Sequence, residues 1–171
     1  MKYDNTTYCI DANILIVFHR YYPIGLFPDL WSRLEELFQK KVIISHEIVF
    51  NEICHDKKKP DALAKWLLPK RTNFIDTSDF QIQQLPDILK NFPKLIDPNQ
   101  EKEQADPWLI AMLIELKNSL GMFTPDTKYI LVSNENKNST IKLPAACKYY
   151  GIDCINMFEF FQENDWKFSI T

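Results

Sequence analysis

Short apolar runs alternate along the chain with segments of helical spacing, and several of those runs end on a polar or acidic residue. Tyr8-Cys9-Ile10 is stopped by Asp11, and the stretch from Asn13 continues as a helix until Pro23. Asp29 to Lys40 sets Leu30, Leu34, Leu37 and Phe38 at helical spacing, and Val42-Ile43-Ile44 after it is an unbroken β-branched run suited to a buried strand. That strand feeds another helix, with Ser45 placed to cap it. Lys57-Lys58-Lys59-Pro60 interrupts the pattern, Asp61 to Leu68 resumes it, and Pro69 stops it. Asn73 to Asp76 reads as a short strand, and Asp79 to Pro93 as one helix broken or kinked at Pro86. The polar loop Asp97 to Gln104 has no periodicity, whereas Trp108 to Leu116 is apolar nearly all round and predicts a central buried helix. Tyr129 to Val132 and Ile152 to Ile155 are further strands, and Met157 to Glu163 is a closing helix.

Strands separated by helices imply an α/β fold with a parallel sheet covered on both faces. No repeat, low-complexity stretch or flexible linker divides the chain, so residues 1–171 read as a single domain. The balance of 46% hydrophobic and 25% charged residues is that of an ordinary globule. The opening MKYDNTTYCIDANILIVF has one short apolar run, broken by Asp11 and Asn13, so it reads as neither signal peptide nor membrane span, and a cytoplasmic protein is expected. Cys9, Cys54, Cys147 and Cys154 sit in apolar surroundings without CxxC spacing and read as reduced, buried thiols. A net charge of −3 supplies no overall basic field, which argues against a polyanionic partner. Metal ions held by an acidic cluster would reverse that argument locally.

Four acids are candidates for such a cluster. In open parallel sheets, ligands bind beyond the carboxyl ends of the strands. Asp11 follows the first strand directly, and Glu135 follows the Tyr129 to Val132 strand after Ser133 and Asn134. Ordinary duties are open to both: Asp11 can cap the next helix, and Glu135 can be a solvated loop residue. Glu52 falls between Ile48 and Val49 on its helix, within the apolar sector those residues share with Phe50 and Ile53, while Glu47 and Asn51 fall on the polar side. A carboxylate aimed at a core is costly unless paired or metal-bound. Asp106 precedes Pro107 and the most apolar helix, so it reads as an N-cap placed where that helix meets the strand ends. Four converging acids repel one another unless cations intervene, and hard oxygen donors without His or Cys suit Mg²⁺ or Mn²⁺.

The pieces YCIDANILI, VIISHEIVFNEI, ADPWLIAMLIEL, ILVSNEN and IKLPAACKYYGIDCINMFEF, in this order, make the chain resemble the PIN-domain ribonucleases. Within that superfamily it resembles the DUF4411 group, which is similar to the toxins of type II toxin-antitoxin modules. The resemblance implies a PIN-like three-layer α/β/α sandwich with a central parallel sheet of four to five strands. It also implies metal-dependent endoribonuclease activity on RNA with one or two Mg²⁺ or Mn²⁺ ions, products with 5′-phosphate and 3′-hydroxyl ends, and an antitoxin protein as partner. Asp11, Glu52 and Asp106 fall on the family's three most regular acidic positions. Asn13 matches a polar residue supporting the first acid, and Ser133 the hydroxyl residue beside the site. At the fourth position the superfamily often has aspartate where this chain has Glu135.

Asp11 and Asp106 are then the direct ligands, Glu52 completes the set or orients water, and Asn13 and Ser133 support them from behind. Lys57, Lys58, Lys59 and Lys142 lie near enough in sequence to meet RNA phosphates, although solvated lysines are the plainer reading. His19, His46 and His55 have no partner spacing and take no role, and Phe158, Phe160, Phe161 and Trp108 read as core. A homodimer is left open. Two rivals stand beside the nuclease. A PIN-like module that binds RNA or protein without cutting fits the unusual fourth acid. A haloacid-dehalogenase-like phosphatase also begins with an aspartate after its first strand, but needs a second acid where this chain has Asn13.

Overall fold

A computed structural model of the protein describes residues 5–56, 58–123 and 127–167. Its centre is a five-stranded parallel sheet: β1 (Thr6–Ile10), β2 (Ile43–His46), β3 (Phe74–Ile75), β4 (Lys128–Val132) and β5 (Asp153–Ile155), in the order β3-β2-β1-β4-β5. The helices that flank it are α1 (Ala12–Tyr21), α2 (Pro28–Gln39), α3 (Glu47–Ile53), α4 (Ala62–Leu67), α5 (Asp79–Asn91), α6 (Asp106–Phe123), α7 (Leu143–Tyr150) and α8 (Met157–Glu163). The expected α/β class, three-layer arrangement and strand number are therefore present.

The order makes the sheet grow one way from β1 through β2 to β3, then resume on the other side of β1 with β4 and β5. The point of reversal lies between β1 and β4, where the chains leaving the carboxyl ends diverge and leave a crevice. Register sets Ile10 level with Val132, and Val132 level with Ile155, so Asp11, Ser133 and Asn156 emerge side by side. Tyr8, Cys9, Ile10, Ile43, Ile130, Leu131 and Val132 are all buried, as strands covered on both faces require. In α6, Trp108 through Leu113 are buried without a break, which explains why its sequence shows no polar face at that end. Among the described residues, no helix is long and apolar enough to cross a membrane.

Three local expectations need correction. Ser45 is not the cap of α3: its hydroxyl is buried and donates to the Ile10 carbonyl at 2.6 Å, pinning the end of β2 to the end of β1. The cap is His46, whose Nδ1 accepts the Ile48 N–H at 3.1 Å. The helix from Asp79 runs through Pro86 to Asn91 as one element, so the expected break is absent: proline removes one N–H donor, and the turns on either side keep theirs. α7 has no counterpart in the sequence reading. Its signals were Pro144 in the first turn and Gly151 after the last, where φ of 64° suits glycine and the Ile152 N–H closes on the Cys147 carbonyl at 2.8 Å.

Phe158 is also corrected. It is 63% exposed, since Met157, Phe160 and Phe161 take the inward positions of α8 and turn it to solvent. Phe160, Phe161 and Trp108 lie in the core as expected. All four cysteines are free, three of them buried and Cys154 partly so.

Candidate functional site

Asp11 stands immediately after β1 and caps α1, its Oδ1 accepting the Asn13 N–H at 3.3 Å. Oδ2 accepts the Ser133 hydroxyl at 3.1 Å, and the residue is only 2% exposed. Burial pushes its pKa up to about 6, the Asn13 N–H and the Ser133 hydroxyl hold it back, and the charge of Glu135 adds to the rise. Asn13 thus supports the acid through its backbone, while its exposed side chain lines the cleft in front.

Glu52 rides on α3 and reaches across to the loop before α6, where Oε1 accepts the Ala105 N–H at 2.9 Å. Its sector of the helix, beside Ile48, faces a cleft of about 500 Å³ rather than the core, so the residue is exposed where the helical spacing predicts burial. The reason is tertiary: the 97–105 loop passes in front of α3 without filling the gap. The cleft walls still take part of the water from its carboxylate, which raises its pKa; the Ala105 N–H opposes this, and the charge of Asp11 raises it again. Asn51, expected on the far polar side, lines the same cleft.

Asp106 is the first residue of α6 rather than its cap. Among the described residues no hydrogen bond reaches its carboxylate, whose shift comes from burial and charge alone. Burial and the charges of Asp11, Glu135 and Glu52 push its pKa up to about 8, with Lys142 pulling back less strongly. Asp11, Glu52 and Asp106 therefore line one cleft, just beyond the carboxyl ends of β1 and β4.

Glu135 does not line that cleft. Its Oε2 accepts the Leu143 N–H at 2.8 Å at the start of α7, and its Oε1 lies 3.5 Å from the Lys142 ammonium. The Ser133 hydroxyl oxygen accepts the Glu135 N–H at 3.3 Å, which fixes the loop so that the side chain turns away. Both the expected fourth acid and the expected phosphate-binding Lys142 are thus partnered with each other. Glu135 still acts on the other acids at a distance, through its charge. Lys58 and Lys59 are exposed outside the cleft, their backbone N–H groups donating to Asp56 Oδ1 at 3.0 Å. Lys57 lies outside the described residues.

Residues without a sequence signal complete the walls. His55 lines the cleft and sits with Nδ1 3.0 Å from the Glu52 carbonyl, and Lys102 and the acid Glu103 enter from the polar loop. No periodicity marks any of them. Among the described residues, no group of three or more His, Cys, Asp or Glu side chains is arranged to hold a metal ion as it stands. The donor set nevertheless suits a hard cation: Asp11, Glu52 and Asp106 offer oxygen and are each held above their ordinary pKa, Glu103 lines the same cleft as a fourth acid, and among the described residues none of the four is paired with a lysine or arginine.

The family described as "Domain of unknown function (DUF4411)" matches residues 8–168. The chain belongs to the DUF4411 family. Neither the curated proteins nor the solved structures contain a match to it. In this DUF4411 chain the matched span takes in every residue that lines the cleft.

Proposed function

We propose that the protein is a metal-dependent endoribonuclease of PIN-like kind, acting in the cytoplasm as the toxin of a type II toxin-antitoxin module with a cognate antitoxin. The observation that carries the reading is the convergence of Asp11, Glu52 and Asp106 on one cleft at the switch point of a parallel sheet, without a cationic side chain among the described residues paired to any of them. Three carboxylates so placed destabilise one another, and a divalent cation is the partner that relieves them.

Asp11 and Asp106 would hold one or two Mg²⁺ or Mn²⁺ ions with Glu52 beside them, and such ions supply an acidified water and neutralise charge on the scissile phosphate. Asp11 keeps a single orientation, since Ser133 and the Asn13 N–H engage both of its oxygens. Among the described residues Asp106 has no such tether. Glu52 keeps one oxygen on the Ala105 N–H and leaves the other available to orient water. RNA as the substrate follows from the resemblance to PIN ribonucleases, and the acidic net charge makes a metal-bridged phosphate contact the physically consistent route.

One observation favours a second reading. Glu135 is already engaged with Leu143 and Lys142, as in a binding module that does not cut. The test is Mg²⁺- or Mn²⁺-dependent cleavage of single-stranded RNA by the purified chain. Asp11→Asn and Asp106→Asn are each expected to lower it about 100-fold or more while the melting curve stays cooperative. Undiminished cleavage in both variants overturns the site, and inert wild type with either metal favours the binding module. Phosphate trapped covalently on Asp11 would point instead to a phosphatase. For the toxin role, expression without antitoxin should arrest growth, and the same two substitutions should relieve it.

A further inference from the structure

Beyond Asp106 lysines join the acids on the surface. A second cavity of about 500 Å³ shares Asp106 with the acidic cleft and carries Lys94 and Lys142 on its wall beside Asp97. On the other side of the first turn of α7 lies a third, of about 620 Å³, walled by Lys137, Lys148, Ser139, Thr140, Phe92 and Tyr149. Among the described residues no carboxylate lines this third cavity. Lys137 is paired with Glu159 at 2.5 Å, but Lys94 and Lys148 form no ion pair among the described residues. Lys142 and Tyr149 bracket α7, about 10 Å apart at the helical rise of about 1.5 Å per residue.

Tyr149 is 63% exposed. It is not loose, because its ring stands edge to face against Phe92 at 5.5 Å and against Tyr150 at 4.9 Å between centroids. Tyr150 is in turn held by its hydroxyl, which donates to Asp87 at 2.9 Å. A large exposed ring, braced by its neighbours and set beside Lys148, which forms no ion pair among the described residues, and two hydroxyl residues, suits a polyanion that also carries flat apolar groups.

We propose that single-stranded RNA leaving the acidic cleft past Asp106 is held along this face, its phosphates on Lys94 and Lys148 and one base stacked on Tyr149. The inference rests on the nuclease reading and deepens it by naming the path of the strand. An acidic peptide would use the lysines equally well, but has no use for the ring. Stacking on aromatic side chains along a basic groove is how unpaired bases are held without sequence preference. It also answers the problem posed by the acidic net charge: the phosphates that the cleft repels are attracted from beside it.

The experiment measures binding apart from cleavage. In an Asp106→Asn background with Mg²⁺ present, fluorescence anisotropy follows a mixed-sequence RNA of about 12 nucleotides, within the usual site size of such grooves. Adding Tyr149→Ala should weaken binding about 5-fold or more, while Tyr149→Phe, which keeps the ring, should stay within about 2-fold of the parent. Lys148→Ala should lower the slope of log affinity against log salt by about 0.7, the share of one phosphate contact on a single strand. Equal binding with and without the Tyr149 ring overturns the proposal, as does equal loss in Tyr149→Phe and Tyr149→Ala. Displacement of nothing by RNA but firm binding of polyglutamate overturns it in favour of an acidic protein segment. A chain that binds RNA through Tyr149 yet cuts none keeps this inference and loses the nuclease; one that cuts RNA with Tyr149→Ala binding unchanged does the reverse.

Discussion

Ser133 joins two of the four acids through a single oxygen. Its hydroxyl donates to Asp11 Oδ2, and the same oxygen accepts the Glu135 N–H. Loss of the hydroxyl would release one oxygen of Asp11 and the backbone that turns Glu135 toward α7. Groups that orient metal-binding side chains typically contribute about 10- to 100-fold in affinity. Ser133→Ala is therefore expected to weaken Mn²⁺ binding by about that factor in a calorimetric titration, and an unaltered affinity would count against the assigned role of Asp11. The position of Asp11 was legible because an acid directly after a buried strand lands at the sheet edge whatever the rest of the chain does. Glu135 was placed by the same rule, but its partner is the N–H of Leu143 on a helix that the sequence reading did not contain. Its direction was decided by that missing contact.

Glu52 and Asp106 belong to different helices, and a buried polar network sets the two helices in register. The His46 ring, fully buried, accepts the Ile48 N–H at the start of α3, so its Nε2 carries the proton toward Gln81 Oε1 at 2.8 Å. Gln81 donates to Glu115 on α6 at 2.7 Å, and the Ser78 hydroxyl donates to the other oxygen of Glu115 at 2.7 Å. The same imidazole stacks on Trp108 at 5.4 Å, two residues after Asp106. Burial holds the His46 pKa below its ordinary value, which keeps the ring neutral and its two nitrogens distinct. Gln81→Leu keeps the volume but strands a buried imidazole N–H, and a buried unsatisfied donor costs about 1–3 kcal/mol. A fall in melting temperature of roughly 5 °C is the expected result by calorimetry, at the usual scale of about 2–4 °C per kcal/mol for a chain of this size. A shift of under about 1 °C would show that the network does not hold these helices.

On the scale of the whole molecule, the acidic cleft makes stability depend on pH and, under the proposed metal site, on metal as well. Asp11 and Asp106 have folded-state pKa values of about 6 and about 8, raised above the ordinary aspartate range, so the folded chain binds protons more tightly than the unfolded one. Protons then favour folding, and stability is lost as pH rises from the unfolded aspartate value toward these two. His46 works in the opposite direction, since its lowered pKa makes stability rise with pH up to its ordinary value near 6.5. Between pH 6.5 and about 8, Asp106 is left as the main term. The metal-free protein should lose on the order of 1–2 kcal/mol across that interval, and Asp106→Asn should abolish most of the loss. Mg²⁺ at about 100 times its Kd should add about 2.7 kcal/mol where the acids are ionised and far less at pH 5, where protons occupy them. Thermal melts across pH with and without Mg²⁺ check both statements. A metal-induced rise of equal size at pH 5 and pH 8 would argue that the cation binds elsewhere.

What the sequence by itself determined is what local chemistry determines. Buried runs with β-branched centres became strands, helical spacing became helices, and their alternation required a parallel sheet with Asp11 and Ser133 at its carboxyl edge. Tertiary structure alone decided which acids share a cleft. Strand order put the switch point between β1 and β4, the path of the 97–105 loop turned the sector of Glu52 into an open wall instead of core, and α7 drew Glu135 away. Periodicity reports which face of a helix is apolar, whereas the direction of a carboxylate depends on donors brought near it from distant parts of the chain. Those donors here are the N–H groups of Ala105 and Leu143 and the hydroxyl of Ser133, none of which lies in the same element as the acid it binds.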